Sequence, residues 1–247
     1  MAIKTILNYS PNFDSKKRAK KQIKFIIFHY TGMKKESDAI NKLTNIQSQV
    51  SCHYLIKNSG KIIKIVPNLY IAWHAGKSSW KRLNSLNKYS IGIEITNPGS
   101  QFGYKKFSKK QISTILRLSK FLVKKYKINN KNILGHSDVS PERKKDPGEK
   151  FPWKYLSQNK IGLWHTLKDK ELRKSRKLKT NKVEKDFFFK NLFKIGYSNK
   201  VPKDLNKNKY LRDVTKAFQR RFRQELINGI IDRECLFISI NLIKKYN

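Results

Sequence analysis

Cysteine and acidic residues are both scarce in this chain. Of its 247 residues only two are cysteine, Cys52 and Cys235, far apart in sequence. That excludes a disulfide framework, so the fold is not expected to depend on oxidation. No apolar run approaches the roughly 20 residues that span a bilayer. The N-terminal stretch MAIKTILNYSPNFDSKKRAKK offers only Ile6 and Leu7 before polar and basic residues, so neither a signal peptide nor a membrane span is expected. Asp and Glu number 17 against 56 Lys and Arg, a formal net charge of +39. Such an excess suits nucleic acid, phospholipid head groups or an acidic wall polymer, and does not choose among them. Glycine is also scarce, at 11, in a chain rich in Lys, Asn, Ile, Phe and Tyr, so AT-rich coding accounts for part of the basicity. What is present, 38% hydrophobic and 12% aromatic residues, is enough for one sizeable domain and a small second one.

The run IKFIIF, Ile23 to Phe28, reads as a buried strand that delivers His29 at its end. Apolar residues at helical spacing between Ser37 and Val50 predict a helix, and CHYLI, NSG and KIIKIV then predict a hairpin. SIGIEI, Ser90 to Ile95, reads as a further central strand. From Ser108 an S-x-x-Q capping box with Gln111 opens a long amphipathic helix. Strands and helices thus alternate up to about Trp164, which predicts an α/β domain with a mixed central sheet flanked by helices over residues 1–165. Residues 166–185 are mostly charged and read as a basic linker or an exposed helix. Residues 186–247 hold three helical patterns and read as a small all-α, three-helix domain.

The candidate site lies in GHSDVSPERKKDPGEKFPW, Gly135 to Trp153. His29 and His136 both follow apolar runs, and Asp146 precedes Pro147 and Gly148. All three can meet at loop edges, and two imidazoles with one carboxylate and an open fourth position suit a catalytic zinc. Spacing alone leaves a surface turn equally open. Glu94 stands among Ile91, Ile93 and Ile95, where a carboxylate is costly unless it has a partner or a task.

The blocks FIIFHYTG, SCHYLIKNSGKIIKIVPN, AWHAG, SIGIEITN and GHSDVSPERKKDPGEKFPW, in this order, resemble the zinc-dependent N-acetylmuramoyl-L-alanine amidases of the type-2 family. That family is similar also to phage amidase lysozymes and animal peptidoglycan recognition proteins. The resemblance covers roughly residues 23–153. It implies one Zn2+ per chain on His29, His136 and Asp146, with Glu94 as general base and Lys144 stabilising the tetrahedral intermediate. It also implies hydrolysis of the amide between N-acetylmuramic acid, or its 1,6-anhydro form, and L-alanine, in peptidoglycan or its fragments. His74 and Trp73 are expected to line the substrate cleft, and Asn97 either to line it or to form the turn after the strand. His53 is expected to be a satisfied structural histidine, Cys52 a buried small residue, and His165 a surface residue.

The tail segment YLRDVTKAFQRRFRQELINGIID is similar to small peptidoglycan-binding modules, through Ala217, Phe218 and Gln219. Its Arg220, Arg221 and Arg223 are expected either to hold anionic wall material or to form a solvated face. Such a module is expected to be dispensable for hydrolysis of small soluble fragments. The rival reading is a recognition protein that holds peptidoglycan without cutting it. A nucleic-acid partner rests on charge alone and is not expected, and a monomer is. The tail favours the cell envelope or periplasm, whereas the missing signal peptide favours the cytoplasm.

Overall fold

The structure is a computed structural model that describes residues 3–246. Six strands form the central sheet in the order β1-β5-β4-β9-β3-β10: β1 (Ile6–Leu7), β3 (Phe25–Tyr30), β4 (Tyr54–Ile56), β5 (Ile62–Lys64), β9 (Ser90–Ile95) and β10 (Ile133–Gly135). All neighbours run parallel except the β4–β5 hairpin. Two small ribbons flank the sheet, β2 (Phe13–Asp14) with β6 (Ile71–Ala72), and β7 (Ser79–Trp80) with β8 (Leu83–Asn84). The helices are α1 (Glu36–Thr44), α2 (Lys109–Tyr126), α3 (His136–Val139), α4 (Trp153–Gln158), α5 (Asp169–Ser175), α6 (Lys182–Ile195), α7 (Lys207–Phe222) and α8 (Arg233–Tyr246). A mixed sheet with a three-helix C-terminal region is the architecture the sequence predicts.

Strands buried on both faces read as continuous apolar runs, and FIIF and SIGIEI are built that way. Side chains alternate across a strand, so the register sorts them. Ile26, Phe28, Ile91, Ile93, Tyr54 and Ile56 share one face and one core with α2, whose Ile115, Leu118 and Leu122 are buried. Ser108 caps α2 by accepting from the Gln111 backbone N–H, while the Gln111 side chain accepts from the Ser108 N–H. The predicted S-x-x-Q start is thus observed, and it satisfies two amides that helix geometry leaves without partners.

The other face carries Phe25, Ile27 and Leu134, in one core with Phe188 and Leu192 of α6, Val214 and Phe218 of α7, and Ile238 of α8. The C-terminal helices therefore cover the sheet. Residues 166–185 are mostly exposed, as the sequence suggests, although α5 buries Leu172 and Ser175 and Arg176 pairs with Glu234 of α8 at 2.6 Å. Two expectations are corrected. Arg220, Arg221 and Arg223 are all buried, and the last two pair with Asp138 and Asp232. Arg221 points at the amidase body, whereas Arg223, just past α7, turns back into the helical region. His165 is 6% exposed, stacked on Trp164 with ring centroids 5.0 Å apart, because the C-terminal helices close over it. That burial pushes its imidazole down to about 4.

Candidate metal centre and active site

Register brings the site together. His29 lies in β3 directly beside Glu94 of β9, and Leu55 of β4 is next in the row. Gly135, the last residue of β10, pairs with Phe28, so His136 emerges beside His29. The loop after α3 returns Asp146 to the same place, tied by the Ser137 N–H donating to the Asp146 carbonyl at 2.9 Å. The Nδ1 atoms of His29 and His136 are 2.9 Å apart, and each is 3.0 Å from Asp146 Oδ2. All three side chains are buried, and their ligand atoms lie within 4.8 Å of one another.

The hydrogen bonds around the trio determine which ring nitrogens carry protons. His136 Nε2 faces the Ala75 carbonyl at 3.1 Å, which can only accept, so Nε2 holds the hydrogen and Nδ1 is a bare lone pair. For His29 the chain is longer. The Ser90 hydroxyl donates to the Leu86 carbonyl at 2.7 Å, so its oxygen accepts from His74 Nε2 at 3.1 Å. His74 Nδ1 is then an acceptor, and His29 Nε2, 3.0 Å away, must donate to it. His29 Nδ1 is left bare. Gly92 makes this possible, since a Cβ there would sit 2.4 Å from the His74 ring.

Two bare imidazole nitrogens and a carboxylate oxygen, all acceptors, thus converge at 2.9–3.0 Å. Such a cluster repels itself unless a cation or proton sits at its centre. Metal-binding histidines commonly donate their outer N–H to a fixed acceptor in this way, and the donor set fits zinc. Burial pushes His29 down to about 4, with His136 repelling further charge. Burial also holds His74 well below the ordinary imidazole range. Burial opposes ionisation of Asp146, but a proton shared with His136 and His29 in the metal-free site overcomes that and holds its carboxyl well below the usual range. A neutral His29 and an ionised Asp146 are states a metal requires.

These residues open into a cleft of about 430 Å³ lined also by Trp73, Glu94, Arg143 and Lys144. Glu94 is half-buried, and its Oε2 has no hydrogen-bond partner among the described residues. Burial, then repulsion from Asp146, pushes its carboxyl up to about 8, with Lys144 acting in the opposite direction. Trp73 lines the cleft wall, its indole N–H donating to Asp14 at 2.7 Å. His74 borders the cleft too, but its two nitrogens are taken by His29 and Ser90. Asn97 does not line it: its side chain accepts from the Gly99 N–H and donates to the Lys105 carbonyl, shaping the loop instead. His53 accepts from the Gly92 N–H and contacts the Tyr70 carbonyl, and Cys52 is fully buried. Sequence reasoning missed Ser90 and the Ala75 carbonyl, which fix the tautomers, and Arg143, which donates to that carbonyl at 2.7 Å. None of the three carries a local signal, because a serine in a strand and a backbone carbonyl look alike everywhere.

A His-His-Asp trio that could hold a metal ion, beside a carboxyl group and a lysine in one cleft at the C-terminal ends of β3, β9 and β10, is an arrangement suited to a hydrolase. Comparison with known proteins gives the particular kind. The N-acetylmuramoyl-L-alanine amidase family matches residues 19–149. The amidase AmiD of Escherichia coli strain K12 is 35% identical over 237 residues, 91% of this chain and 84% of AmiD. The solved complex of E. coli AmiD with anhydro-N-acetylmuramic acid-L-Ala-D-gamma-Glu-L-Lys superposes with a TM-score of 0.79 at 32% identity, covering 94% of this chain and 93% of that one. AmpDh3 of Pseudomonas aeruginosa, in complex with anhydromuramic pentapeptide, gives 0.79 at 29% identity, with 96% and 97% covered. The chain belongs to the N-acetylmuramoyl-L-alanine amidase family and is an amide hydrolase.

Proposed function

We propose that this chain hydrolyses the amide between N-acetylmuramic acid and L-alanine in muropeptides, the 1,6-anhydro form included, using one zinc ion held by His29, His136 and Asp146. The convergence of three acceptors with outward hydrogen bonds that leave both Nδ1 atoms bare carries this reading. The anhydro-muramyl ligands of AmiD and AmpDh3 support the substrate class.

A bound zinc would polarise the scissile carbonyl and acidify water in the cleft. Glu94 takes the proton from the attacking water: its Oε2 is free to accept, and a bound cation would draw its carboxyl, raised to about 8 by burial, back toward the ionised form. The water oxygen bonds to the carbonyl carbon and the oxygen of that carbonyl gains negative charge. Lys144, in the cleft wall, offsets that charge. Glu94 then returns its proton to the alanine nitrogen as the C–N bond breaks, releasing a carboxylate on the muramyl side and a free amine. A recognition protein would not need an ionisable, unpartnered carboxyl group beside the trio.

Metal analysis should find one zinc per chain, and chelation should abolish muropeptide hydrolysis. Glu94→Gln should keep the zinc and lose about 10²- to 10⁴-fold in rate. Unchanged hydrolysis after complete metal removal would refute the zinc reading.

A further inference from the structure

Asp138 is 1% exposed and lies two residues beyond His136. Its Oδ2 accepts from the Gly135 N–H at 2.8 Å and from Arg221 Nη1 at 2.6 Å, and its Oδ1 accepts from the Tyr197 hydroxyl at 2.8 Å. Arg221 of α7 also donates through Nη2 to the Ile133 carbonyl at 2.9 Å, and its guanidinium lies 4.4 Å over the Trp153 ring. One guanidinium therefore joins the start of β10 to α3 and rests on an aromatic face. The segment it braces has little room. A Cβ on Gly135 would come within 2.7 Å of the Pro147 ring, so the residue before His136 lies against the residue after Asp146.

We propose that the C-terminal helices hold the candidate metal site in shape, with Arg221 and Tyr197 as positioning residues that act through Asp138 on the Gly135–His136 backbone. The inference rests on the reading of His136 as a metal ligand. Asp138 fixes the amide immediately before His136, and the Ser137 N–H fixes the one after it by donating to the Asp146 carbonyl. The orientation of the Asp138 carboxylate is in turn set by two groups from residues beyond 185. A buried ion pair of this kind adds little net stability over an apolar filling, so its value lies in specifying geometry. Outer partners of metal ligands act similarly, orienting the ligand atom without touching the metal.

The test measures zinc affinity by competition with a chromophoric chelator, together with kcat and KM on a soluble muropeptide, well below each variant's melting temperature. Arg221→Met should weaken zinc binding by about 10- to 100-fold and lower kcat more than it raises KM. Arg221→Lys, which keeps the charge but loses one of the two directions of donation, should fall between. Arg223→Met is the control for lost stability. Arg223 is equally buried and pairs with Asp232 and Glu234 inside the helical region, so this variant should melt earlier while keeping zinc affinity and kcat. A folded Arg221→Met with zinc affinity and kcat of the wild type would overturn the proposal. If Arg221→Met does not fold, Tyr197→Phe decides. A loss of about 2- to 10-fold in zinc affinity, the size of one hydrogen bond, supports the proposal, and an unchanged constant overturns it. His136→Ala tells the two failures apart: if it binds zinc like the wild type, the ligand reading itself has failed.

Discussion

His29 Nε2 lies 3.0 Å from His74 Nδ1, and that contact leaves the inner nitrogen of His29 free to face His136 and Asp146. His74 therefore lines the cleft and also supports the candidate metal site. Removing it frees the His29 ring to rotate and to change tautomer. His74→Ala should weaken zinc binding by about 10- to 100-fold. Ser90→Ala, which removes only the far end of the chain, should do less. Equilibrium dialysis of the two variants against the wild type checks the order, and equal zinc affinity in all three would break the relay.

The Glu94 carboxyl predicts a pH-dependent penalty in the metal-free protein. Its pKa rises from 4.5 in the unfolded chain to about 8 in the fold, chiefly by burial. Between those values the folded state holds a proton that the unfolded state has released, so stability falls as pH rises. Above about 8 both states are ionised and the loss is complete. Glu94→Gln lacks this titration. With chelator present, its urea midpoint should exceed the wild type's by a margin that opens above pH 4.5 and levels off above 8.

Lys64 predicts the opposite trend on the other face of the sheet. Burial pushes its ammonium down to about 7 from 10.5, with Lys125 repelling it further. Its ammonium sits 3.9 Å over the Tyr54 ring. Between those pKa values the unfolded chain binds the extra proton, so stability rises with pH through this window. Net charge falls over the same range and also stabilises, so Lys64→Met is the reference. The wild type should gain on that variant in thermal melts from pH 7 upward, and a constant difference would show that Lys64 titrates normally.

Truncation after Lys182 should damage the enzyme itself. The cut would expose Phe25, Ile27, Trp80, Leu134 and Val139, which share a core with α6–α8. Losing burial of even three or four such side chains, at about 1.5–3 kcal/mol each, takes most of the stability of an ordinary domain. The truncated chain should aggregate or melt far below the full chain, and hydrolysis of a small soluble muropeptide should fall with it. Normal turnover on that substrate would show that the amidase body stands alone.

Much of this was legible without coordinates. The apolar runs FIIF and SIGIEI specify central strands because only burial on both faces accommodates them, and Ser108 with Gln111 marks a helix start through local hydrogen bonds. His29, Glu94, His136 and Asp146 stand out because their blocks keep a fixed order along the chain. The direction of a charge is different. Among 56 basic side chains nothing local distinguishes Arg221, buried against Asp138 across 83 residues, from a solvated lysine. The roles of His74 and Ser90 likewise arise only when β9 places Gly92 beneath an imidazole. Periodicity and capping act over a few residues and are written in sequence. The partner of a buried polar group is chosen by which faces meet, and that depends on the packing of the whole chain.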